Sequence, residues 1–329
     1  MGQRPPRLAF VFLLLIAPLI ALAGCERRAD STASLTPSTT PASPATQPAV
    51  TVASLSPAAT EILIGLGLGD RLVAVSNFDR PRPAIARLPR VGDYQTTDWE
   101  RLATLRPAVM ITQFGPNRLP AGMVQRADEL HIRLVNVSIT RLHDIFQAMT
   151  TLAAAVEAPE RGAAAAEQLR QRLDAVAARS TGRRVRALIV VDDAARAVAG
   201  RGNYLDDILQ IAGGENVLRG SAPYPSIDRE MLLALDPEVI LQLLPEPTAQ
   251  IRAAAARVWE SLPSLQAVQR GRVRVIDHAW SLTPTHHVAE IAETFAREID
   301  AARGAAPATP ATTAPAAAST KVPLSGDRS

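Results

Sequence analysis

Two segments far apart in the sequence share one pattern of residue types. Glu100–Ile111 reads Glu-Arg-Leu-Ala-Thr-Leu-Arg-Pro-Ala-Val-Met-Ile, and Glu230–Leu241 reads Glu-Met-Leu-Leu-Ala-Leu-Asp-Pro-Glu-Val-Ile-Leu. Each segment predicts a short helix, a turn at the proline and then a buried strand. The repetition favours two lobes of similar construction, although any α/β protein can reuse such a local pattern.

The chain between residues 51 and 302 alternates short β-rich runs with helical patterns, which predicts mostly parallel sheets flanked by helices. Ser56 and Pro57 predict a helix start, because serine caps helices and proline suits the first turn. A final helix is predicted to start at Thr283-Pro284, with its apolar residues on one face. The predicted strands are 51–55, 71–76, 108–112, 133–137, 187–191, 239–243 and 273–276.

A longer helical pattern lies between the two series of strands. It begins near Pro159 and continues until Thr181-Gly182 interrupts it. Its apolar residues recur at spacings of three and four: Ala166, Leu169, Leu173 and Val176. We therefore expect one rigid helix to join two lobes. The ligand cleft should lie between the lobes, at the carboxyl ends of the strands.

The N-terminus has the features of a secretory signal. Arg4 and Arg7 precede an apolar run, Leu8–Ala23, that is shorter than the roughly 20 residues of a membrane-spanning helix. The run ends in Leu-Ala-Gly-Cys, which resembles the bacterial lipobox, and Cys25 is the only cysteine. We predict cleavage before Cys25 and a lipid anchor on its thiol. The alternative is an ordinary signal peptide followed by a chance cysteine.

Two segments rich in Ser, Thr, Pro and Ala flank the predicted lobes and contain too few large apolar side chains to form a core. The intervening chain is long enough for two medium lobes, since the sequence as a whole is 47% hydrophobic. The predicted division is signal peptide 1–24, tether 25–49, N-terminal lobe 50–157, connecting helix 158–181, C-terminal lobe 182–303 and tail 304–329.

Charge and motifs argue against nucleic-acid binding and catalysis. Removal of the signal takes away Arg4 and Arg7, which lowers the formal charge from +3 to about +1. The sequence has no nucleophile elbow, phosphate-binding glycine loop or zinc-protease motif. Asp192-Asp193 and Asp206-Asp207 are interpreted as acidic residues at element ends, where a helix dipole favours carboxylates. We therefore predict a protein that is not an enzyme.

A family resemblance is carried by four segments: Val52–Leu63, Gly69–Ser76, Leu88–Gly92 and Ala212–Val217. They resemble the periplasmic binding proteins for cobalamin, haem and ferric siderophores, and the cobalamin-binding branch most of all. The resemblance runs from about Thr51 to Ala302. It implies a monomer with two α/β lobes, which takes a corrinoid as transported ligand rather than cofactor and delivers it to an ABC permease dimer with ATPase subunits.

The resemblance also assigns roles to individual residues. It implies that Glu100 and Glu230 dock into arginine pockets on the two permease subunits. His286-His287 stands where the family has an arginine, and several tryptophan positions are Tyr or Phe here. His286 and His287 are candidate metal ligands, or they lie on the first turn of the last helix. The positions implied to contact the ligand are Phe78, Tyr94, Phe114, Tyr224, His278 and Trp280.

Two other functions stay open at this point. The chain could bind haem or a ferric siderophore, which the same family carries. It could also be a surface adhesion or scaffold lipoprotein that has kept the fold without a ligand. All of these place the protein in the cell envelope, facing the periplasm or the exterior.

Overall fold

Four short apolar runs form the sheet of the N-terminal lobe. The computed structural model describes residues 49–93, 95–115 and 117–304; the predicted signal, most of the tether, Cys25, Tyr94 and the predicted tail from residue 305 lie outside them. The strands are parallel, in the order β2-β1-β3-β4. They are β1 (Val52–Ser54), β2 (Leu72–Ala74), β3 (Val109–Thr112) and β4 (Arg133–Asn136).

The central pair of this sheet is buried on both faces. Val52 of β1 lies opposite Val109 of β3, and both side chains are almost fully buried. Apolar residues therefore follow one another along β1 and β3 without alternation, as expected of a parallel sheet covered by helices. The covering helices are α1 (Pro57–Gly65), α2 (Trp99–Leu105), α3 (Ala121–Glu129) and α4 (Leu142–Ala155).

The C-terminal lobe contains a second sheet that is parallel except at one strand. The main order is β6-β5-β8-β9, with β7 also paired to β5, and only the β5–β6 pair is antiparallel. The strands are β5 (Val185–Val190), β6 (Val198–Ala199), β7 (Gly214–Asn216), β8 (Val239–Leu243) and β9 (Val273–Ile276). The helices are α6 (Tyr204–Ile211), α7 (Arg229–Leu235), α8 (Ala249–Glu260), α9 (Gln266–Gln269) and α10 (Val288–Gly304).

One long helix, α5 (Pro159–Arg179), leads from the first sheet to the second. Its predicted apolar residues are buried, and α4 and α10 pack along it. The largest hydrophobic core therefore mixes side chains of both lobes, such as Ile62, Leu152, Leu205 and Phe295. Shared packing of this kind stiffens the connection between the lobes. The predicted α/β fold, with two sheets and one connecting helix, is confirmed.

The sequence repeat corresponds to two helices of the same construction. Asp98 and Asp228 are the N-caps of α2 and α7, and each side chain accepts a hydrogen bond from the third residue beyond it. Each helix buries one leucine and ends at a residue in the left-handed conformation. Each lobe therefore presents the same helix–turn–strand unit.

Several predicted boundaries were wrong. The last helix begins at Val288 rather than at Thr283-Pro284, because the chain turns first, and the Thr285 hydroxyl accepts a hydrogen bond from the backbone of His287. The two short strands β6 and β7 were not predicted, because so few residues give no period. Among the helices of the described residues, none is long and apolar enough to cross a membrane.

Candidate functional site

The carboxyl ends of the two sheets lead into loops that meet. Arg80 lies in the loop after β2, and Glu246 lies in the loop after β8. Arg80 Nη1 is 2.5 Å from Glu246 Oε2, so this ion pair joins loops of different lobes. Ligands in open α/β sheets bind beyond the carboxyl ends of the strands. The loops around this ion pair are therefore the candidate ligand site.

Each lobe presents a large exposed aromatic side chain on a loop. Phe78 follows β2 and is 56% exposed, and Tyr224 is 52% exposed. The Ser76 hydroxyl accepts a hydrogen bond from the backbone N–H of Phe78 at 3.2 Å. Asn203 fixes the loop of Tyr224, because its amide donates to the Pro223 carbonyl at 2.5 Å. Fixed backbones therefore carry both predicted aromatic side chains.

A carboxylate closes the turn that follows Gly92. Asp93 accepts hydrogen bonds from the backbone N–H groups of Thr96 (3.0 Å) and Gln95 (2.8 Å). Asn77, which precedes Phe78, donates to its second oxygen at 3.2 Å. These N–H groups, chiefly those of Thr96 and Gln95, lower the pKa of the Asp93 carboxyl. Asp93 therefore links the Phe78 loop to Gln95 and Thr96.

Trp280 lies in the loop after β9 and bridges the two lobes. The Arg82 guanidinium of the N-terminal lobe lies 4.7 Å from the centre of its ring. The ring of His287 stacks on Trp280, with centroids 5.8 Å apart and planes 7° apart. Trp280 thus contacts an arginine of one lobe and a histidine of the other at the meeting point of the lobes.

Glu61 of α1 is buried and connects these same groups. Its Oε1 lies 3.0 Å from His287 Nε2, and its Oε2 lies 2.6 Å from Arg82 Nη2. Within the described part of the chain, no nitrogen of Arg82 makes a directed hydrogen bond, so the contact with Glu61 is an ion pair only. A buried carboxylate needs a partner of this kind to offset its lost hydration.

Glu290, in the first turn of α10, lies between two histidines. His278 Nε2 is 2.8 Å and His287 Nδ1 is 3.1 Å from Glu290 Oε2. Burial alone lowers the pKa of His287, but the hydrogen bond to Glu61 and the charge of Glu290 outweigh it and raise the pKa. Burial raises the pKa of Glu290, and the neighbouring His287 and His278 outweigh that effect and lower it.

His286 lies beside His287, with ring centroids 4.1 Å apart, on the side that faces α1. A Cβ atom on Gly65 of α1 would lie 2.2 Å from His286 Cε1, so the imidazole lies directly against the α1 backbone. His286 also lines a small cavity of about 120 Å³ with residues of α4 and α5. Burial, followed by the charge of His287, lowers the pKa of His286 to about 4.

The remaining predicted residues are placed differently. The side chain of Phe114 is half-buried and packs against a hydrophobic cluster of the N-terminal lobe that is separate from the largest core. Glu100 and Glu230 are exposed on α2 and α7. Tyr94 lies outside the described residues. Two sets of three side chains could hold a metal ion, with ligand atoms within 4.8 Å of one another: Glu61, His286 and His287, and His278, His287 and Glu290.

Sequence reasoning missed three members of the site. Glu61 and Arg82 were not proposed, because each meets residues far along the chain: Glu61 is 226 positions from His287, and Arg82 contacts the ring of Trp280. Glu290 could have been found, because it follows His287 at the three-residue spacing of helical neighbours.

Two lobes with facing carboxyl edges and one connecting helix define a substrate-binding protein of the periplasmic type. The family model described as Periplasmic binding protein matches residues 52–279. The chain belongs to this family.

Individual relatives are consistent with that family. A vitamin B12-binding protein of Vibrio cholerae is 28% identical over 75% of this chain and 87% of the relative. The crystal structure of the periplasmic vitamin B12-binding protein of Vibrio cholerae superimposes with a TM-score of 0.65 and 27% identity, covering 78% of this chain and 99% of that one. A periplasmic haem-binding protein of Pseudomonas aeruginosa has a TM-score of 0.65 at 23% identity, covering 76% and 92%, and so shares the fold.

Proposed function

We propose that this protein captures a corrinoid in the periplasm and delivers it to an ABC permease. The observation that carries the proposal is the pair of half-exposed aromatic side chains, Phe78 and Tyr224, on loops of opposite lobes. A broad flat macrocycle is well matched by aromatic faces from both sides of a cleft. The vitamin B12-binding relatives support the corrinoid as the cargo.

Trp280 also contributes to the cleft in this proposal. Its ring already stacks on His287 and lies beneath Arg82, so it is held in one orientation before any cargo arrives. A preordered side chain loses little conformational entropy when a ligand binds. We infer that Trp280 forms the floor of the cleft, where cargo lies against a surface made by both lobes.

Delivery depends on the two exposed carboxylates of the repeat. Glu100 and Glu230 occupy equivalent places in α2 and α7, one in each lobe. A permease with two-fold symmetry would meet them with matching arginine pockets, which fixes orientation and speeds encounter. We infer that cleavage before Cys25 and lipid on its thiol hold the protein at the membrane where the permease resides.

Ligand titration tests the proposal. Purified mature protein is titrated with cobalamin and with haem, and binding is followed by Trp fluorescence and by the visible spectrum of the ligand. Phe78→Ala, Tyr224→Ala and Trp280→Ala should each weaken cobalamin binding by about 5- to 150-fold, which corresponds to roughly 1–3 kcal/mol. Leu233→Ala, which removes an exposed apolar side chain of α7, is the control and should bind as the wild type does.

The results separate the candidate functions. Cobalamin binding that the aromatic variants weaken supports the proposal. Tight haem binding without cobalamin binding would replace the corrinoid by haem. Binding of neither ligand would contradict the proposal and leave a ferric siderophore or the adhesion or scaffold lipoprotein, which a titration with a ferric siderophore separates.

A further inference from the structure

Donor atoms of three side chains converge beside the start of α10. Glu290 Oε2 is 2.8 Å from His278 Nε2 and 3.1 Å from His287 Nδ1. Two imidazoles and one carboxylate are a ligand set that binds zinc and leaves a fourth position open to solvent. We propose that His278, His287 and Glu290 form a binding site for a divalent transition metal of the zinc class.

Glu61 gives His287 the orientation that such a site needs. Its Oε1 lies 3.0 Å from His287 Nε2, so Nδ1 on the other side of the ring faces His278 and Glu290. A metal-bound histidine usually donates its second N–H to a carboxylate, which fixes the tautomer. Glu61 belongs to α1, so a metal held by the C-terminal lobe is coupled to the N-terminal lobe through this contact.

The carboxylate of Glu290 is held in one orientation as well. Arg172 of the connecting helix lies 3.7 Å from Glu290 Oε1, while Oε2 faces both histidines. The side chains of His278 and Glu290 are 34% and 37% exposed, so an ion can reach them from solvent. The ligand set is thus accessible on one side and supported on the other by Glu61 and Arg172.

The neighbouring set of Glu61, His286 and His287 is less suited to a metal. Both oxygens of Glu61 are already engaged, by His287 and by Arg82. The His286 ring is pressed against the helix backbone, since a Cβ on Gly65 would lie 2.6 Å from either of its ring nitrogens. The Glu61 side chain is only 8% exposed, so that set is shielded from solvent, whereas His278 and Glu290 are each about one-third exposed.

A metal at this site would fix the loop that carries Trp280. His278 lies two residues before Trp280, and His287 stacks on the Trp280 ring. Coordination would therefore clamp both ends of the loop to α10. The inference does not depend on the identity of the cargo, because it concerns only the ion and these side chains.

Metal titration of the apoprotein tests the site. The mature chain, purified without a polyhistidine tag and stripped with a chelator, is titrated with Zn²⁺ in competition with a chelating dye. Co²⁺ is used as a spectroscopic probe, since its visible absorption reports tetrahedral coordination. We expect one equivalent to bind. His278→Ala and the isosteric Glu290→Gln should each weaken binding at least 10-fold, and Glu61→Gln should weaken it about 10-fold.

His143→Ala is the matched control, because His143 is an exposed histidine on α4 that pairs with Asp144. It should bind Zn²⁺ as the wild type does, and thermal unfolding checks that every variant is folded. Equal Zn²⁺ affinity in the wild type, His278→Ala and Glu290→Gln would overturn the proposal. So would a loss that follows His286→Ala and spares His278→Ala, since the metal would then lie at the other set.

Discussion

Glu100 and Glu230 occupy the same position in two helices that are built alike, one in each lobe. Both follow an aspartate N-cap by two residues, and both precede a buried leucine, Leu102 or Leu232. A favourable interaction with the helix dipole, worth about 0.3–1 kcal/mol, accounts for either glutamate alone. It does not explain why both copies of the repeat have glutamate at this position while the neighbouring positions differ.

The first prediction concerns this pair. Glu100→Ala and Glu230→Ala should leave cargo affinity unchanged and the unfolding midpoint almost unchanged, because both side chains are exposed and the helix dipole contributes at most about 1 kcal/mol. Uptake through the permease should fall in each variant and at least 10-fold in the double variant. Glu167→Ala, which removes an exposed glutamate of α5 that pairs with Arg170, is the control. Normal transport by the double variant would contradict docking through these residues.

The second prediction concerns the backbone that presents Tyr224. A Cβ atom on Gly200 would lie 2.2 Å from the carbonyl oxygen of Ala222 and 3.0 Å from Pro225 Cδ. Gly200→Ala should therefore displace the Tyr224 loop and weaken cargo binding as much as Tyr224→Ala does. Gly220→Ala is the matched control, because a Cβ there meets no atom within 4 Å. Titration measures the cargo affinity, and unchanged affinity in Gly200→Ala would contradict the link between this contact and cargo binding.

The third prediction concerns pH. The pKa of Asp93 is lowered in the folded protein, so the ionised carboxylate stabilises the fold above the ordinary pKa of aspartate, near 3.8. Asp93→Asn should reduce the free energy of unfolding by about 1 kcal/mol at pH 7. This difference should shrink as the pH falls through the lowered pKa, because the wild-type carboxyl is then protonated too.

Urea unfolding at pH 7 and at pH 3 measures the effect. Asp174→Asn on the exposed face of α5 serves as the control and should cost little at either pH. A difference between wild type and Asp93→Asn that is equal at both values would show that the charge of Asp93 is not what stabilises the turn.

The fourth prediction concerns the anchor. If Cys25 carries lipid, the mature wild type should partition into detergent, and Cys25→Ser should be released or remain as uncleaved precursor. Two or more acyl chains hold a protein firmly on a membrane, whereas one alone is marginal. Phase partitioning and the mass of the N-terminal peptide test this. A Cys25→Ser protein that is cleaved and still bound to the membrane would exclude lipid on Cys25.

The sequence by itself determined the elements and their order. The repeat at Glu100 and Glu230 matches α2 and α7 because caps, buried leucines and turns are local features, set within a few residues. The apolar spacing of Leu169 and Leu173 likewise predicted the connecting helix, since a period of 3.6 residues appears only when one face is buried. Very short strands such as β6 have no such period.

Only the tertiary structure decided which side chains meet. Nothing local distinguishes His286 from His287, yet one lies against Gly65 while the other joins Glu61, Trp280 and Glu290. The two rings lie side by side, with centroids 4.1 Å apart, but their other contacts differ. Glu61 and His287 are 226 positions apart, and their contact exists only because two lobes pack together. Long-range pairs of this kind follow from how the helices are packed, which no short stretch of sequence specifies.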